Sequence, residues 1–321
     1  MIIASLLILF SLANAKETIL IEFDGSNQNH TLEPIVTRGG TFSRNNDFYE
    51  LRNSDYGSNT SHFHPMDRDV GSATFAEVSS DMFHRITASM RGKCQITGTF
   101  PNPFHVHPND PRLASCAFLV NDAVTGILLG FVVTNDKVFV LYQRLPTQRT
   151  FSNFYAVFAY LIPVKDRIDS SEMIDFALDI DNCNGSVMFK VDGRSVFYLS
   201  KLGYRLPEIA SDYKVFEWSG FNSRVYPRLL RFGVANIFSH DFYTACQQTI
   251  INGLIRRCPP PAQDEALLQI AFDAPSPRPF HYQSSYQQDS LRNLFFGQGA
   301  IFSIGKLNIT GHIDAIPCNI L

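Results

Sequence analysis

The sequence predicts an all-β protein, an antiparallel β-sandwich of jelly-roll type with at most one or two short helices. Apolar and polar residues alternate through the segment Ile174–Leu199, which Asn184-Gly185 and Asp192-Gly193 divide into three runs. Alternation with period two turns one row of side chains toward a core and the other toward water. Asp-Gly between two such runs indicates a hairpin, because tight hairpin turns need positive φ. Short runs of this kind recur along the chain between turn residues, as in sandwiches and barrels.

The other strands follow from the same pattern. They are predicted at Thr18–Phe23, Ser72–Glu77, Phe83–Gly92, Ala114–Asn121, Gly126–Thr134, Lys137–Arg144, Phe151–Ile162, Arg228–Ile237 and Gly299–Ile309. The last is expected to pair with the first. The three strands between Ala114 and Arg144 are expected to be neighbours in one sheet, since their connections are short. Helical spacing predicts one short helix over Phe242–Leu254, ended by Pro259-Pro260-Pro261.

The amino-terminal residues predict export. An apolar run, Ile2–Leu12, is followed by Ala13-Asn14-Ala15, which resembles the cleavage site of a secretory signal peptide. The run is shorter than the roughly 20 apolar residues that a membrane-spanning helix needs. The expected organisation is a signal peptide, residues 1–15, and a single secreted sandwich domain, residues 16–321, without a membrane span.

Six cysteines favour disulfides in an exported chain. They are Cys94, Cys116, Cys183, Cys246, Cys258 and Cys318. Their spacing suggests Cys246–Cys258 as a local loop closure and Cys94–Cys116 as a tie between neighbouring strands, which leaves Cys183–Cys318. One pair of buried free thiols is the alternative.

Four N-x-[ST] triplets are candidate glycosylation sites on the surface of a secreted protein. They begin at Asn29, Asn59, Asn184 and Asn308. The formal net charge is −3, and no run of Lys or Arg occurs. Nucleic acid is therefore not an expected partner.

A longer stretch of sequence resembles a known family. It includes NDPRLASCAFLVNDAVTGILLGFVVTNDKVFVLYQRLP from Asn109, and later YAVFAYLIPVKDR, YPRLLRFGVANIF and FFGQGAIFSIGKL. The combination resembles a family of uncharacterised proteins, a domain of unknown function, with a sandwich of the concanavalin A-like lectin/glucanase type. The resemblance covers roughly Ser72 to Leu307. It implies a fold and, through the wider superfamily, carbohydrate binding or glycan cleavage on the concave sheet.

Retaining glucanases of this architecture carry E-x-D-x-E or E-x-D-x-x-E on one strand, which sets two carboxylates about 5–5.5 Å apart. This sequence has no such motif. Glu22-Phe23-Asp24 is the nearest fragment, and no acidic residue follows it at the right spacing. The standard glucanase mechanism is therefore not expected.

The first candidate site surrounds His105 and His107, which share one side of an extended strand. They are candidate acid and base groups, or metal ligands together with Asp110. The alternative is a polar loop in which Asp110 caps a turn and pairs with Arg112.

The second candidate pair is Tyr142 and Arg144, on one face of a predicted strand. The two side chains suit a lyase, as an acid and a neutraliser of a sugar carboxylate. The alternative is a Tyr–Arg stack at the end of the strand. The third candidate is Glu217-Trp218, in a predicted loop, where the only tryptophan offers a platform for a sugar. Its alternative is a lid over the edge of the sandwich.

The residues favour three functions. The first is a secreted carbohydrate-binding or extracellular interaction module, with a glycan or an extracellular surface as partner. The second is a glycan-cleaving enzyme, a polysaccharide lyase or glycoside hydrolase, using His105 or His107 with Tyr142 and Arg144. The third is a structural or host-interaction protein. No metal and no cofactor are predicted.

Overall fold

The structure is a computed structural model that describes residues 16–27, 31–53, 69–102, 107–122, 124–145, 153–207, 213–218, 220–237, 250–251, 254–255 and 297–313. In chain order the strands are β1 (Lys16–Asp24), β2 (Val36–Arg38), β3 (Thr41–Asn45), β4 (Phe48–Asn53), β5 (Asp69–Ser79), β6 (Arg85–Thr97), β7 (Ser115–Asp122), β8 (Ile127–Val133), β9 (Lys137–Arg144), β10 (Val157–Asp166), β11 (Ile174–Asp181), β12 (Ser186–Val191), β13 (Arg194–Leu199), β14 (Lys214–Trp218), β15 (Leu229–Ile237), β16 (Ile250–Ile251), β17 (Leu254–Ile255) and β18 (Gly299–Ile313). These residues contain one 3-10 turn, Ser80–Met82, and no α-helix.

Two eight-stranded antiparallel sheets form the sandwich, which confirms the predicted fold class. The first sheet has the order β13-β12-β11-β6-β18-β4-β3, and β1 joins it by pairing with β18. The second sheet has the order β14-β10-β9-β8-β7-β15-β5-β2.

Several predicted pairings are confirmed. The hairpin of β11 and β12 pairs Phe176 with Val191, and the predicted turn that leads to β13 has positive φ at Asp192 and Gly193. The amino-terminal strand β1 pairs with the terminal strand β18. Strands β7, β8 and β9 are consecutive in the second sheet, as their short connections predicted.

The helix predicted over Phe242–Leu254 is wrong where it falls within the described residues. Ile250–Ile251 pairs instead with Leu254–Ile255 as a small antiparallel hairpin, and the rest of that segment lies outside the described residues. Short apolar runs are ambiguous between helix and strand, which explains the error.

The main core lies between the two sheets. The ring of Phe131, on β8 of the second sheet, packs against Phe176 of the first sheet with centroids 5.1 Å apart. Alternate residues of the second sheet, such as Val140, face this core.

The opposite face of the second sheet is also apolar and buried. It is formed by β7, β8, β9, β10 and β15, with Val132, Phe139, Leu141 and Leu161 among its members. Apolar residues on both faces explain why these central strands read as continuous hydrophobic runs.

One disulfide joins the two sheets. Cys94 of β6 is bonded to Cys116 of β7, and their Cα atoms are 5.8 Å apart. This confirms one predicted pair. Cys183 is disulfide-bonded as well, and Cys246, Cys258 and Cys318 lie outside the described residues, so the other two predicted pairings stay predictions.

The predicted signal peptide, residues 1–15, also lies outside the described residues. Among the residues that are described, no helix is long and apolar enough to cross a membrane.

Candidate functional site

A pocket of about 450 Å³ opens beside β14, at the edge of the second sheet. Its volume lies within the range of small-molecule sites. Tyr160 of β10 and two residues of β14 form one side, and loop residues form the other. The lining residues are Tyr160, Arg205, Leu206, Pro207, Lys214, Glu217 and Asn222.

An irregularity in the strand pairing brings the two charged residues of β14 to one side. Glu217 lies opposite Phe158, and Lys214 lies opposite Tyr160, with a register shift between these pairs. Phe158 and Tyr160 both face the core between the sheets. Lys214 and Glu217 are three positions apart and would otherwise point to opposite faces, so the bulge is what places both at the inner edge of the sheet.

The carboxylate of Glu217 lies among three potential donors. Its Oε1 is 2.7 Å from Nε of Arg205, and its Oε2 is 3.3 Å from Nζ of Lys214. The hydroxyl of Tyr160 donates to the same Oε2 at 3.4 Å. Burial, and secondarily the negative charge of Glu217, raises the pKa of Tyr160 to about 12, so this hydroxyl stays protonated at neutral pH.

The loop that carries Arg205 is tied to the loop that carries Asn222. The backbone N–H of Arg205 donates to Oδ1 of Asn222 at 3.0 Å, and its guanidinium donates to the carbonyl of Gly220 at 2.9 Å. These bonds fix the two loops of the pocket relative to each other.

Tyr142 and Arg144, predicted as catalytic, support this loop from inside the sandwich. The hydroxyl of Tyr142 donates to the Tyr204 carbonyl and accepts from the N–H of Gly203, both at 2.8 Å. Arg144 donates to the carbonyls of Gly203 and Ser223, each at 3.0 Å.

Tyr142 and Arg144 therefore do not line an open groove, which contradicts their candidate role in a lyase site. Tyr142 is fully buried and Arg144 is 3% exposed, because the inner face of β9 turns toward the core between the sheets. The guanidinium of Arg144 lies 3.9 Å from the ring centroid of Tyr155. The structure therefore has a Tyr–Arg stack, as the alternative hypothesis predicted, but the tyrosine is Tyr155 and not Tyr142.

Asp110 and Arg112, predicted to bind a ligand, form a buried ion pair instead. Nε and Nη2 of Arg112 donate to the two carboxylate oxygens at 3.1 and 2.9 Å, and the Arg112 backbone N–H donates to Oδ1. Both side chains are closed to solvent. Burial outweighs the pairing, so the pKa of Asp110 is raised and that of Arg112 is lowered to about 10.

The two histidines give no site in the described residues. His107 is exposed, and its Nδ1 accepts from the backbone N–H of Asn109. His105 lies outside the described residues. No group of three or more potential ligands with the geometry for a metal ion occurs among the residues that the structure describes.

Of the predicted ligand-binding residues, Glu217 lines the pocket. Trp218 follows it on the edge strand, where its backbone pairs with that of Val157, and its side chain is not among the described parts of the structure. Sequence reasoning missed Tyr160, Arg205 and Lys214. The spacing of Lys214, three residues before Glu217, gave no signal, because such positions face opposite sides of a regular strand, and Arg205 comes from an irregular loop that no local pattern marks.

Solved structures that this chain resembles include three carbohydrate-active enzymes. β-Agarase B from Zobellia galactanivorans is 11% identical, with 94% of this chain and 95% of that chain covered at a TM-score of 0.44. The κ-carrageenase of Pseudoalteromonas carrageenovora is 8% identical, with 96% and 100% covered at 0.41. A prokaryotic lichenase from a mouse hindgut metagenome is 10% identical, with 92% and 99% covered at 0.38. Similarity at this level carries no argument about the activity of this chain.

The similarity in sequence is of a different kind. No curated protein matches the chain significantly. A family model matches residues 48–312, which is most of the chain, and its description assigns no function. The chain therefore belongs to this family of unknown function (DUF6081).

Proposed function

We propose that the protein is a secreted, non-catalytic carbohydrate-binding module and that the pocket beside β14 is its binding site. The pocket itself carries this proposal. It combines an apolar side, Leu206 and Pro207, with the polar groups of Arg205, Lys214 and Asn222. Saccharides present both C–H faces and hydroxyl groups, so they suit an apolar surface with a few fixed polar groups.

An exposed aromatic residue adjoins the pocket in the chain. Phe221, which directly precedes Asn222, is 76% exposed. Such a ring is usually covered in a folded protein. Aromatic rings stack on the C–H faces of sugars, so Phe221 is a candidate platform for a saccharide that extends out of the pocket.

The described groups favour binding over catalysis. Glycoside hydrolysis uses two carboxylates in most families, and the described lining of the pocket has one, Glu217. A general acid or base works best with a pKa near the working pH, whereas Tyr160 has a pKa of about 12. With Tyr142 and Arg144 buried, the lyase hypothesis has no exposed pair in the described residues.

Export belongs to the same proposal. The Cys94–Cys116 disulfide supports an oxidising compartment. Strand β1 begins at Lys16, the residue after the proposed cleavage site, so removal of residues 1–15 would leave the described part of the sandwich whole. Sequencing of the secreted product should give Lys16 as the first residue, and a secreted product that retains Met1 would contradict cleavage.

Two of the four candidate glycosylation sites lie at exposed positions. Asn184 is at the turn between β11 and β12, and Asn308 projects from β18. Asn29 and Asn59 lie outside the described residues. Peptide mapping of the secreted protein should find glycans at Asn184 and Asn308, if the host attaches them at such triplets.

A glycan array and an activity assay test the proposal together. The full chain is applied to the array, and the same preparation is assayed for unsaturated products and new reducing ends on polysaccharides. We expect binding without turnover, and turnover would support the glycan-cleaving alternative. Silence in both would contradict the proposal and favour a structural or host-interaction role.

A matched pair of variants assigns the binding to the pocket. Arg205→Gln should weaken it, because the guanidinium that pairs with Glu217 and donates to the Gly220 carbonyl is lost. Arg231→Gln is the control, since Arg231 is a surface arginine of the second sheet that also pairs with a glutamate, Glu77. Equal binding by both variants would place the site elsewhere.

A further inference from the structure

Among the described residues that line the pocket beside β14, cations outnumber anions. Arg205 and Lys214 are cations and Glu217 is the one anion of this described lining, which gives it a net charge of +1. Solvent screens partly buried charges less than charges on an open surface, so the sign of the pocket's charge favours ligands of the opposite sign.

Both oxygens of the Glu217 carboxylate face donors of the pocket. Oε1 is 2.7 Å from Nε of Arg205, while Oε2 is 3.3 Å from Nζ of Lys214 and 3.4 Å from the hydroxyl of Tyr160. A hydroxyl of a ligand would compete with these groups for the carboxylate.

Lys214, in contrast to Glu217, supplies hydrogen-bond donors to the pocket. Its ammonium group has three N–H donors, and it lies 3.3 Å from Glu217, longer than the roughly 2.7–2.9 Å of a strong charge-assisted hydrogen bond. Its side chain is 30% exposed, so its remaining donors can reach a ligand. The pocket thus offers a ligand cationic donors more readily than acceptors.

We propose that this pocket selects an anionic saccharide unit, a sugar with a carboxylate or sulfate group whose charge pairs with Lys214 and is supported by Arg205. The inference rests on the proposed carbohydrate-binding function and specifies its ligand class. Leu206 and Pro207 would then contact the sugar ring.

Three saccharides that differ in charge test this selection. An oligogalacturonate, its fully methyl-esterified form and a sulfated galacto-oligosaccharide are titrated into the full chain by calorimetry at low salt. The free acid should bind at least about tenfold more tightly than the ester, as expected for a charge-assisted hydrogen bond. Added salt should reduce this difference. The sulfated arm shows whether any anion suffices or a carboxylate is needed, and either result fits an anionic ligand.

Lys214→Met and Lys214→Gln should each remove the preference for the acid over the ester. Two variants are used so that poor folding of one leaves the other, and thermal unfolding verifies both. Lys137→Met is the matched control, because it removes the same charge from a surface lysine of β9 that also pairs with an aspartate, Asp166.

The outcomes separate the two proposals. Equal affinity for the acid and the ester, or a preference that survives in both Lys214 variants, would overturn the selection while carbohydrate binding stands. Absence of binding by all three saccharides and by the whole glycan array would overturn carbohydrate binding itself, and the selection with it.

Discussion

Because Asp110 and Arg112 form a buried ion pair, replacing Arg112 alone should cause a large loss of stability, and replacing Asp110 as well should restore most of it. Arg112→Met removes the only cation from a pair whose side chains are 0% and 1% exposed. Breaking such a pair leaves an uncompensated buried charge and costs about 3–5 kcal/mol. That is a large part of the roughly 5–15 kcal/mol by which domains are stable. Urea unfolding at pH 7, followed by far-UV circular dichroism, measures the change.

A second substitution should recover most of that loss. In the double variant Asp110→Asn with Arg112→Met, no buried charge remains, and the asparagine Oδ1 can still accept from the backbone N–H of residue 112, now 3.0 Å away. Arg52→Met is the control, since its pair with Glu50 is half exposed and should be worth less than about 1 kcal/mol. A single variant as stable as the wild type, or a double variant no better than the single one, would refute the reasoning.

The same variant has a predictable pH dependence. Burial already raises the pKa of Asp110 in the folded protein, and loss of the neighbouring cation raises it further. A carboxyl with a raised folded pKa stabilises the protein below its unfolded pKa, and that contribution is lost as pH rises through the folded pKa. The destabilisation by Arg112→Met should therefore be largest at neutral pH and shrink toward pH 4.

Three further predictions concern other parts of the fold. Replacing Cys94 and Cys116 by serine should lower the free energy of unfolding by about 2–5 kcal/mol; an unchanged urea midpoint would contradict it. Tyr142→Phe should cost about 1–3 kcal/mol, because the buried N–H of Gly203 loses its acceptor, yet its glycan binding should persist at saturating ligand; a fully stable variant that binds no glycan would instead favour a ligand contact. Hydrogen bonds from Lys306 and Ser26 lower the pKa of the Asp24 carboxyl to about 2. An NMR titration should therefore give a midpoint near that value, and a midpoint near 4 would contradict those bonds.

The sequence predicted the positions of the strands better than it predicted which faces of each strand are buried. Alternation located β11 and β12 closely, since one row of each faces the core and the other is more polar. In β9 this signal fails, because Val140 faces the main core while Phe139 and Leu141 are buried on the other side. Which face is inner could not be read from such a run, so the burial of Tyr142 could not be predicted.

The candidate pocket was predictable only in part. Glu217 stood out as an acidic residue beside the single tryptophan, but its partners Tyr160 and Arg205 come from other segments of the chain. Arg205 reaches it from a loop, and Lys214 reaches it through a bulge in the pairing of β14. A bulge depends on the partner strand, so one strand's sequence does not reveal it.

The pairing of β18 has a consequence for the order in which the chain folds. Gly299–Ile313 lies in the interior of the first sheet, bonded to β6 on one side and to β4 and β1 on the other. Until the last part of the chain emerges from the ribosome, β1 and β4 have no neighbour to connect them with β6. Contacts this distant in sequence form slowly. The first sheet of a growing chain therefore stays incomplete until Gly299–Ile313 has been synthesised, and truncation before Gly299 should abolish folding.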